Sequence, residues 1–328
     1  MRAVLCKAYG PPETLLVEDV ASPLPAAGEV VVSVRACGVN FPDTLMIAGK
    51  YQRKPALPFS PGGEVAGTIK AVGPGVVRFK VGDRVIALPP YGGYAEELLA
   101  KEEELIGLPD GVDFADGAAF LITYGTSHYA LQHRAKIQPG ETLLVLGAAG
   151  GTGLSAVELG KLMGARVIAA ASTDEKLALC RAHGADETIN YVSEDLRSRI
   201  MAFSGGRGVD VVYDPVGGSL SEPALRCMAW NGRFLVIGFT SGEIPRIPIN
   251  LTLLKGCSIV GVFYGSFLRN EAEHGIAMRD ELMQWLSQGR VRPHISARYP
   301  LEQAAQALAQ FVQRRATGKI VLIPERNA

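Results

Sequence analysis

Two patterns of hydrophobic and polar positions divide the chain into two parts. Up to residue 121, short apolar runs are separated by Pro and Gly, which is typical of strands and turns. The clearest predicted strands are residues 30–36, 65–72, 84–87 and 94–100, and residues 42–48 form one predicted short helix. The first part is therefore expected to be a β-rich, barrel-like domain.

From residue 123, apolar runs alternate with amphipathic segments of helical period. The predicted strands are 143–146, 166–170, 209–213, 234–237 and 258–263, and the predicted helices are 154–163, 175–183 and 221–229. Strands that alternate with helices indicate a parallel sheet with both faces covered. The second part is therefore expected to be an α/β domain.

The pattern changes again near the end of the chain. Two predicted helices, 278–288 and 301–314, precede a final apolar strand at 319–323. A strand this late has no obvious place in the parallel sheet, so we expect it to complete the first domain. The predicted domains are residues 1–122 with 266–328, and residues 123–265.

Glycines are concentrated where the first strand of the α/β part meets its first helix. Residues 143–153 read LLVLGAAGGTG, the pattern of a strand, a tight turn and a helix start. The residues predicted to hold a pyrophosphate against the helix N-terminus are Ala149, Gly150, Gly151, Thr152 and Gly153. Glycines also permit close packing without a ligand, but the second strand at 166–170 completes a dinucleotide-binding βαβ unit.

The end of that second strand predicts which dinucleotide binds. NAD-binding units carry an Asp or Glu there, whereas this chain has three alanines followed by Ser172 and Thr173. Because no acid repels a 2′-phosphate, the two hydroxyls and the Lys176 cation favour NADPH. A solvated Lys at a helix start is the alternative, and Asp174 adds a negative charge, although acids are common in a first helical turn.

Charge and hydropathy restrict the partners. The chain has 33 basic and 33 acidic residues and no Lys/Arg block, which argues against nucleic acid. No stretch approaches the ~20 apolar residues of a membrane span, so a soluble, cytoplasmic protein with a small-molecule partner is expected. Five cysteines without a Cys-x-x-Cys pair are expected to be reduced and mostly buried.

Short motifs, by their order and spacing, identify a family. They are Gly38-Val39-Asn40-Phe41-x-Asp43, Gly62-Gly63-Glu64-x-Ala66-Gly67, Val81-Gly82-Asp83-Arg84-Val85, Ala148-Ala149-Gly150-Gly151-Thr152-Gly153, Gly184-Ala185-Asp186 with Ile189-Asn190-Tyr191, and Gly318-Lys319-Ile320-Val321-Leu322. Over essentially its whole length the chain resembles the medium-chain dehydrogenase/reductase superfamily and, within it, the zinc-independent quinone oxidoreductases similar to zeta-crystallin. The resemblance implies an α/β fold with a GroES-like β-rich barrel domain, a Rossmann doubly wound parallel-sheet domain, and a cleft for the nicotinamide between them.

The cofactor residues come partly from this resemblance. NADPH-using members bind the 2′-phosphate with a Lys and a Tyr that match Lys176 and Tyr191, and some use an Arg that is most like Arg315. Tyr191 is alternatively a half-buried aromatic at a strand end. Four further candidates, at the carboxyl edge of the predicted sheet where a nicotinamide would lie, are Gly238, Phe239, Phe263 and Tyr264. Core packing is the alternative role for these four.

The resemblance also predicts that no metal is bound. Zinc-dependent relatives place a Cys where this chain has Asn40 and a His where it has Gly63, and neither replacement is a zinc ligand. Their structural zinc needs four cysteines at about residues 95–109, a segment that contains none. Without a Lewis acid to polarise an alcohol oxygen, reduction of a quinone or an α,β-unsaturated carbonyl is expected instead of alcohol oxidation.

The candidate catalytic residues are Asn40, Asp43, Tyr51 and Thr123. Asn40 is an amide donor for the developing oxyanion or a local cap, and Asp43 is either catalytic or a cap of the short helix. Tyr51 matches a Tyr proposed as the proton donor of related enoyl-thioester reductases, and is otherwise a loop aromatic. Thr123 resembles a family position near the nicotinamide or is a helix-start hydroxyl, and Glu64 is interpreted as a structural hydrogen-bonding residue.

The chain is thus predicted to be an NADPH-dependent reductase of quinones or related conjugated carbonyls. Leu45 stands where some quinone reductases have a Tyr, so an enoyl-thioester (enoyl-CoA) or 2-alkenal reductase remains an alternative. The cations available for CoA phosphates are Lys50, Arg53 and Lys54. A structural or sensory NADPH-binding protein with little turnover is an alternative of another class. The apolar run 258–263 near a sheet edge predicts a homodimer.

Overall fold

The computed structural model of the protein describes residues 1–324 and divides the chain into two compact units. The first unit contains Met1–Ile122 and the chain from Met283 onward, and the second contains Thr123–Leu282. The chain thus returns to the first unit, but at residue 283 rather than the predicted 266. The difference arises because one continuous helix, Ala272–Ser287, begins in the second unit and ends in the first.

The elements are numbered in chain order. The strands are β1 (Arg2–Leu5), β2 (Leu16–Asp19), β3 (Glu29–Val39), β4 (Val65–Val72), β5 (Arg84–Ala87), β6 (Glu97–Lys101), β7 (Leu105–Gly107), β8 (Thr142–Leu146), β9 (Arg166–Ala171), β10 (Glu187–Asn190), β11 (Val209–Asp214), β12 (Met228–Val236), β13 (Ser258–Gly261), β14 (Ile295–Pro300) and β15 (Lys319–Ile323). The α-helices are α1 (Phe41–Ile47), α2 (Phe114–Ala118), α3 (Leu121–His128), α4 (Gly151–Leu162), α5 (Asp174–Ala182), α6 (Leu196–Phe203), α7 (Ser221–Arg226), α8 (Asn250–Lys255), α9 (Tyr264–Asn270), α10 (Ala272–Ser287) and α11 (Ala304–Val312).

The first unit is built around a mainly antiparallel sheet. Its order in the described part of the chain is β14-β15-β3-β4-β5-β7, with β6 also paired to β3, and only β14 and β15 run parallel. Buried valines of the long strand β3, among them Val30, Val32 and Val34, contribute to one hydrophobic core. The late strand β15 lies inside this sheet, between β14 and β3, so the prediction that it completes the first domain is confirmed.

The second unit has a parallel sheet in the order β10-β9-β8-β11-β12-β13. In this order β9 and β10 lie on one side of β8 and the later strands lie on its other side, as in a dinucleotide-binding domain. Strand β8 is buried along its whole length, which explains its continuous apolar sequence. The predicted α/β class and the predicted β-rich first domain are both confirmed.

Several predicted boundaries are wrong. The helix predicted over 221–229 ends at Arg226, because Met228 already pairs with Val209 of β11 in the sheet. The strand predicted over 258–263 ends at Gly261, and Tyr264 begins α9. Strands β10 and β14 and helix α6 were not predicted, since each is too short to show a clear period.

Two further observations concern hydropathy and cysteine. In the part of the chain that the structure describes, no helix combines the length and the apolar character needed to cross a bilayer. All five cysteines are free thiols, four of them buried and Cys257 partly buried. The prediction of reduced, mostly buried cysteines is confirmed.

Candidate active site

The glycine turn, residues 147–153, connects β8 to α4 in the second unit. Gly147 adopts a positive φ of 56°, a conformation that favours glycine, and its carbonyl accepts from the Gly150 amide at 3.0 Å. The Leu154 amide donates to the Gly150 carbonyl at 2.8 Å and is the first in the ladder of the helix. The amides of residues 151–153 are therefore those that an α-helix leaves without an intrahelical acceptor, and they suit an anionic ligand.

Protein packing requires glycine at one position of the turn but not at another. A Cβ on Gly153 would lie 2.4 Å from the Gly147 carbonyl oxygen and 2.8 Å from the Ala148 Cα, so this position must be glycine for the helix to pack on the turn. A Cβ on Gly150 would meet only the Gly147 carbonyl oxygen, at an ordinary 3.4 Å. Gly150 is therefore not required by protein packing, and the space beside it is open.

A buried hydroxyl network lies behind the turn. The Ser127 Oγ lies 2.8 Å from the Ser155 Oγ, 2.9 Å from the Tyr213 hydroxyl and 3.0 Å from the Thr152 carbonyl oxygen. Burial raises the pKa of the Tyr213 phenol, so its hydroxyl stays protonated. These bonds join α3, α4 and β11 and fix the first turn of α4. The network was not predicted; its one signal in the sequence is a Tyr among the valines of β11.

A cationic and hydroxyl cluster follows β9. The Lys176 Nζ lies 3.4 Å from the Ser172 Oγ, and the Thr173 Oγ1 accepts from the Lys176 amide at 3.3 Å as the N-cap of α5. The carboxylate of the neighbouring Asp174 accepts from the Asn190 Nδ2 at 3.0 Å. The strand end thus presents a cation and a hydroxyl, while an amide already engages the nearby acid.

Tyr191 lies beside this cluster because of the strand order. Its amide donates to the carbonyl of Ala171, the last residue of β9, at 3.2 Å. The Tyr191 side chain is partly buried and packs against the hydrophobic core of the second unit. The parallel pairing of β10 with β9 therefore places Tyr191 next to the end of β9, the strand that leads into the segment with Lys176. A shared role of the two residues toward a 2′-phosphate stays a prediction.

The residues predicted to face a nicotinamide follow the ends of β12 and β13. Because the sheet is parallel, these ends share an edge with the glycine turn. Phe263 is 52% exposed, and Gly238 and Phe239 are partly buried. Tyr264 is buried, with its ring so close to Gly125 that a Cβ there would lie 2.4 Å from the phenol oxygen. Packing thus accounts for Tyr264, and contact with a nicotinamide stays a prediction for all four.

In the first unit, Asp43 links the start of α1 to the barrel core. Its Oδ2 accepts from the backbone amide of Asn40 at 2.9 Å and from the Tyr94 hydroxyl at 2.9 Å. Asp43 and Tyr94 are 4% and 0% exposed. The capping role that the sequence left open for Asp43 is therefore present, and Tyr94 is a partner that the sequence analysis missed.

The Asn40 side chain belongs to a second buried cluster. Its Oδ1 accepts from the Lys319 Nζ at 2.6 Å, and its Nδ2 donates to the Glu64 Oε2 at 3.1 Å and to the Gly38 carbonyl at a longer 3.4 Å. The Lys319 Nζ also lies 3.0 Å from the Glu64 Oε2, and the other oxygen of Glu64 accepts from the Ile122 amide at 2.8 Å. The structural hydrogen-bonding role predicted for Glu64 is confirmed.

Burial changes the acidity of this region. Removal from water raises the pKa of Asp43 from 3.8 to about 6, although the bonds from Asn40 and Tyr94 and the positive charge of Lys319 oppose the rise. Burial, together with the negative charges of Asp43 and Glu64, raises the pKa of the Cys37 thiol. The site is thus a low-dielectric region in which Cys37 is a neutral thiol.

The remaining predicted residues are divided between the units. Tyr51 is partly buried and packs against the hydrophobic core of the first unit. Arg315 is exposed in the first unit, just after α11. Thr123 is 3% exposed in the second unit, where its carbonyl accepts from the Ser155 Oγ at 3.1 Å. Their predicted roles toward substrate or cofactor stay predictions.

Replacement of Asp43 by Asn should change how stability depends on pH. The raised pKa means that the folded protein binds the Asp43 proton more tightly than the unfolded chain does. The stability that this proton contributes is fully present below about pH 4 and is lost as the pH rises through about 6. At neutral pH the loss is about 3 kcal/mol, from about two pKa units. Asp43→Asn can keep both hydrogen bonds, since one oxygen accepts them.

Urea unfolding at pH 5 and pH 8 measures this difference. The difference in unfolding free energy, variant minus unaltered protein, should become more positive from pH 5 to pH 8. Other titrating groups are common to both proteins and cancel in the comparison. A relative stability that is the same at both pH values would contradict the raised pKa of Asp43.

Metal ligands are not grouped in the part of the chain that the structure describes. Among residues 1–324, no three His, Cys, Asp or Glu side chains are placed so that they could hold a metal ion. At the positions where zinc-dependent relatives have a Cys and a His, this chain has Asn40 and Gly63. Asn40 is instead bonded to Lys319 and Glu64.

Comparison with known proteins agrees with both units. The family model for the alcohol dehydrogenase GroES-like domain matches residues 26–110, and that for the zinc-binding dehydrogenase matches residues 151–281. A quinone oxidoreductase-like protein 2 homolog of Nematostella vectensis is 39% identical over 98% of this chain and 88% of its own length. A quinone oxidoreductase of Pseudomonas aeruginosa is 40% identical over 97% of this chain and 98% of its own length.

A solved structure extends the similarity to three dimensions. The Escherichia coli quinone oxidoreductase complexed with NADPH superposes with a TM-score of 0.91 at 30% identity, over 99% of this chain and all of that chain. The similarity therefore covers both units and their order along the chain. Together with the sheet order of each unit, these matches show that the chain belongs to the quinone oxidoreductase family of the medium-chain dehydrogenases/reductases.

Proposed function

We propose that this protein is an NADPH-dependent, zinc-independent reductase of quinones or related conjugated carbonyls. The observation that carries the proposal is the cluster after β9, where Lys176 lies 3.4 Å from the Ser172 hydroxyl and no carboxylate ends the strand. Its relatives named quinone oxidoreductase, and the NADPH complex of the Escherichia coli protein, support the same reaction class. NADPH, when bound, supplies the hydride.

Each part of the second unit has a separate task toward the cofactor. The amides of residues 151–153 at the start of α4 bind the pyrophosphate, and the hydroxyl network around Ser127 holds that helix turn rigid. Lys176, Ser172 and Tyr191 bind the 2′-phosphate by charge and hydrogen bonds. The bond from Asn190 to the Asp174 carboxylate reduces the repulsion between that acid and the phosphate.

The first unit binds and polarises the acceptor. The Asn40 amide donates to the acceptor oxygen, where negative charge develops during reduction. The Tyr51 hydroxyl supplies the proton, and Asp43 fixes the start of α1 and hence the Asn40 backbone. Asn40, with Gly63 in place of a His, offers no zinc ligand, so the acceptor is activated by hydrogen bonds alone. Acceptors that delocalise charge onto oxygen suit this chemistry.

A panel of acceptors tests the proposed function. NADPH oxidation is followed with an ortho-quinone, a para-quinone, a 2-alkenal and a 2-enoyl-CoA, and each assay is repeated with NADH and after dialysis against a chelator. We expect turnover of the quinones with NADPH, unaffected by the chelator, whereas turnover of the alkenal alone would favour a 2-alkenal reductase. Turnover of the CoA thioester alone would make the chain an enoyl-thioester reductase, and binding without turnover would make it a nucleotide-binding module.

We also infer that two copies pair through β13. This strand lies at the edge of the parallel sheet and is short, with Ile259 41% exposed. Other exposed apolar side chains lie nearby in sequence, with Leu253 on α8 81% exposed and Phe263 52% exposed. An unpaired apolar edge strand can pair with its own copy about a two-fold axis.

Sedimentation velocity tests the pairing. The unaltered protein should sediment with twice the chain mass of 34.9 kDa, and Ile259→Lys should sediment as a monomer because a charged side chain opposes edge pairing. Val77→Lys is the matched control, since Val77 is 84% exposed, belongs to the first unit and is not part of β13. An unaltered protein that sediments as a monomer would refute the pairing.

A further inference from the structure

Lys319 is a buried cation whose position follows from strand register. In the antiparallel pairing of β15 with β3, Ile320 lies opposite Val39, so Lys319 at the start of β15 lies next to Asn40. The Lys319 side chain is only 4% exposed, and its ion-pair partner Glu64 is fully buried. A buried ammonium is costly to desolvate and needs such partners.

The ammonium determines which way the Asn40 amide faces. An ammonium has three N–H donors and no acceptor, so the Asn40 atom 2.6 Å from the Lys319 Nζ must be the carbonyl oxygen Oδ1. The NH2 group then points away from Lys319. One of its hydrogens meets the Glu64 Oε2 at 3.1 Å, and the other has only the 3.4 Å bond to the Gly38 carbonyl, which an acceptor oxygen can displace.

Glu64 holds the NH2 end of the Asn40 side-chain amide. It is 0% exposed, one oxygen accepts from the Ile122 amide, and the other accepts from Asn40 and Lys319. Gly38 leaves room for this carboxylate, since a Cβ there would lie 2.9 Å from the Glu64 Oε2 and 2.0 Å from the Ala118 carbonyl oxygen. The carboxylate and the ammonium thus constrain opposite ends of one amide.

We propose that Lys319 is a positioning residue of the reductase, which orients the Asn40 amide so that its NH2 group, and not its carbonyl oxygen, faces the acceptor. This inference rests on the proposed function, in which Asn40 donates to the acceptor oxygen. Lys319 itself does not touch the substrate. It acts through the bond from its Nζ to the Asn40 Oδ1, and its charge compensates that of Glu64.

A double variant separates positioning from stability. Lys319→Met alone leaves the Glu64 carboxylate buried without its cation, so this variant should unfold at a lower temperature or fail to fold. Lys319→Met combined with Glu64→Gln removes both charges and should restore the melting temperature. The amide introduced at position 64 donates where the carboxylate accepted, so the Asn40 carbonyl turns toward it and the NH2 turns away.

The expected kinetics follow from that reversal. The Lys319→Met/Glu64→Gln variant should show kcat for a quinone lowered about 100-fold, the scale of losing one oxyanion donor, with the Kd for NADPH unchanged. Asn40→Ala should lower kcat by a similar factor, and adding it to the double variant should lower kcat no further, because both changes remove one interaction. Lys70→Met, which removes an exposed lysine paired with Glu97 at 2.6 Å in the same sheet, is the control and should leave kcat unchanged.

Recovery of both stability and full kcat in the double variant would overturn the positioning role and make Lys319 purely structural. Additive losses with Asn40→Ala would overturn it too, because Lys319 would then act independently of Asn40. A different result, no NADPH-dependent turnover of any acceptor by the unaltered protein, would overturn the proposed function and with it the role of Lys319 in that reaction.

Discussion

Replacing Gly150 by Ala should weaken NADPH binding at least tenfold while leaving the fold intact. The new Cβ meets no protein atom closer than 3.4 Å, so the protein tolerates it. It would occupy the open space beside the helix start, where the backbone must approach the pyrophosphate closely. A tenfold rise in Kd corresponds to about 1.4 kcal/mol of lost binding free energy. Titration of nucleotide fluorescence measures the Kd, and thermal unfolding checks the fold.

Gly153→Ala is the matched comparison in the same turn. Its Cβ would lie 2.4 Å from the Gly147 carbonyl oxygen, so the helix must shift and the protein itself should be destabilised by about 1–3 kcal/mol or more. The two variants thus separate a glycine needed for the ligand from a glycine needed for packing. Unchanged NADPH affinity in Gly150→Ala would place the pyrophosphate elsewhere.

Removal of the Lys176 charge should strongly lower the preference for NADPH over NADH. A charge-assisted hydrogen bond to a phosphate is worth about 2 kcal/mol, or roughly 30-fold. Lys176→Ala should therefore lower kcat/KM with NADPH by about that factor. The value with NADH should stay the same, because NADH has no 2′-phosphate for this cation to contact. Steady-state kinetics with both nucleotides measures the ratio.

Lys161→Ala is the control for this experiment. Lys161 lies on α4 of the same unit, but its Nζ pairs with Asp186 at 2.7 Å, and it should not affect the ratio of the two nucleotides. A Lys176→Ala variant that loses activity equally with NADPH and NADH would show that this lysine does not recognise the 2′-phosphate.

The dinucleotide unit could be predicted from the sequence because its signals are local. An apolar strand, a glycine turn, a helix and a second strand follow one another within residues 142–171, and the structure has β8, α4 and β9 there. The absence of an Asp or Glu at the end of β9 is equally visible in the sequence. Local signals do not predict packing. Only the distances around each glycine show that Gly153 is needed for packing and Gly150 is not.

The acceptor side could be predicted only in part, because its contacts join distant segments. Asn40 and Glu64 were both noticed, as a candidate donor and a structural residue, but Lys319 is separated from them by 279 and 255 positions. Its contact depends on the register of β15 against β3, which no local pattern specifies. A lysine at the start of an apolar strand is expected to be exposed to solvent, whereas Lys319 is buried.

The point at which the chain returns from the second unit to the first could not be predicted from local pattern either. Helix α10 is continuous from Ala272 to Ser287 and shows no Pro or Gly break near its passage from one unit to the other at residue 283. A sequence boundary at 266 followed the last predicted strand of the sheet. Helical period reports the buried face of a helix but not which core that face contacts.

Isotope transfer tests the central claim most directly. NADPH carrying deuterium at both C4 positions of the dihydronicotinamide is incubated with an α,β-unsaturated ketone in chelator-treated buffer, and the product is analysed by mass spectrometry and NMR. Direct hydride transfer without metal predicts one deuterium at the β-carbon of the product, with the α-hydrogen taken from solvent. A product without the label, or no NADPH-dependent product from any conjugated carbonyl or quinone, would contradict the proposed reaction.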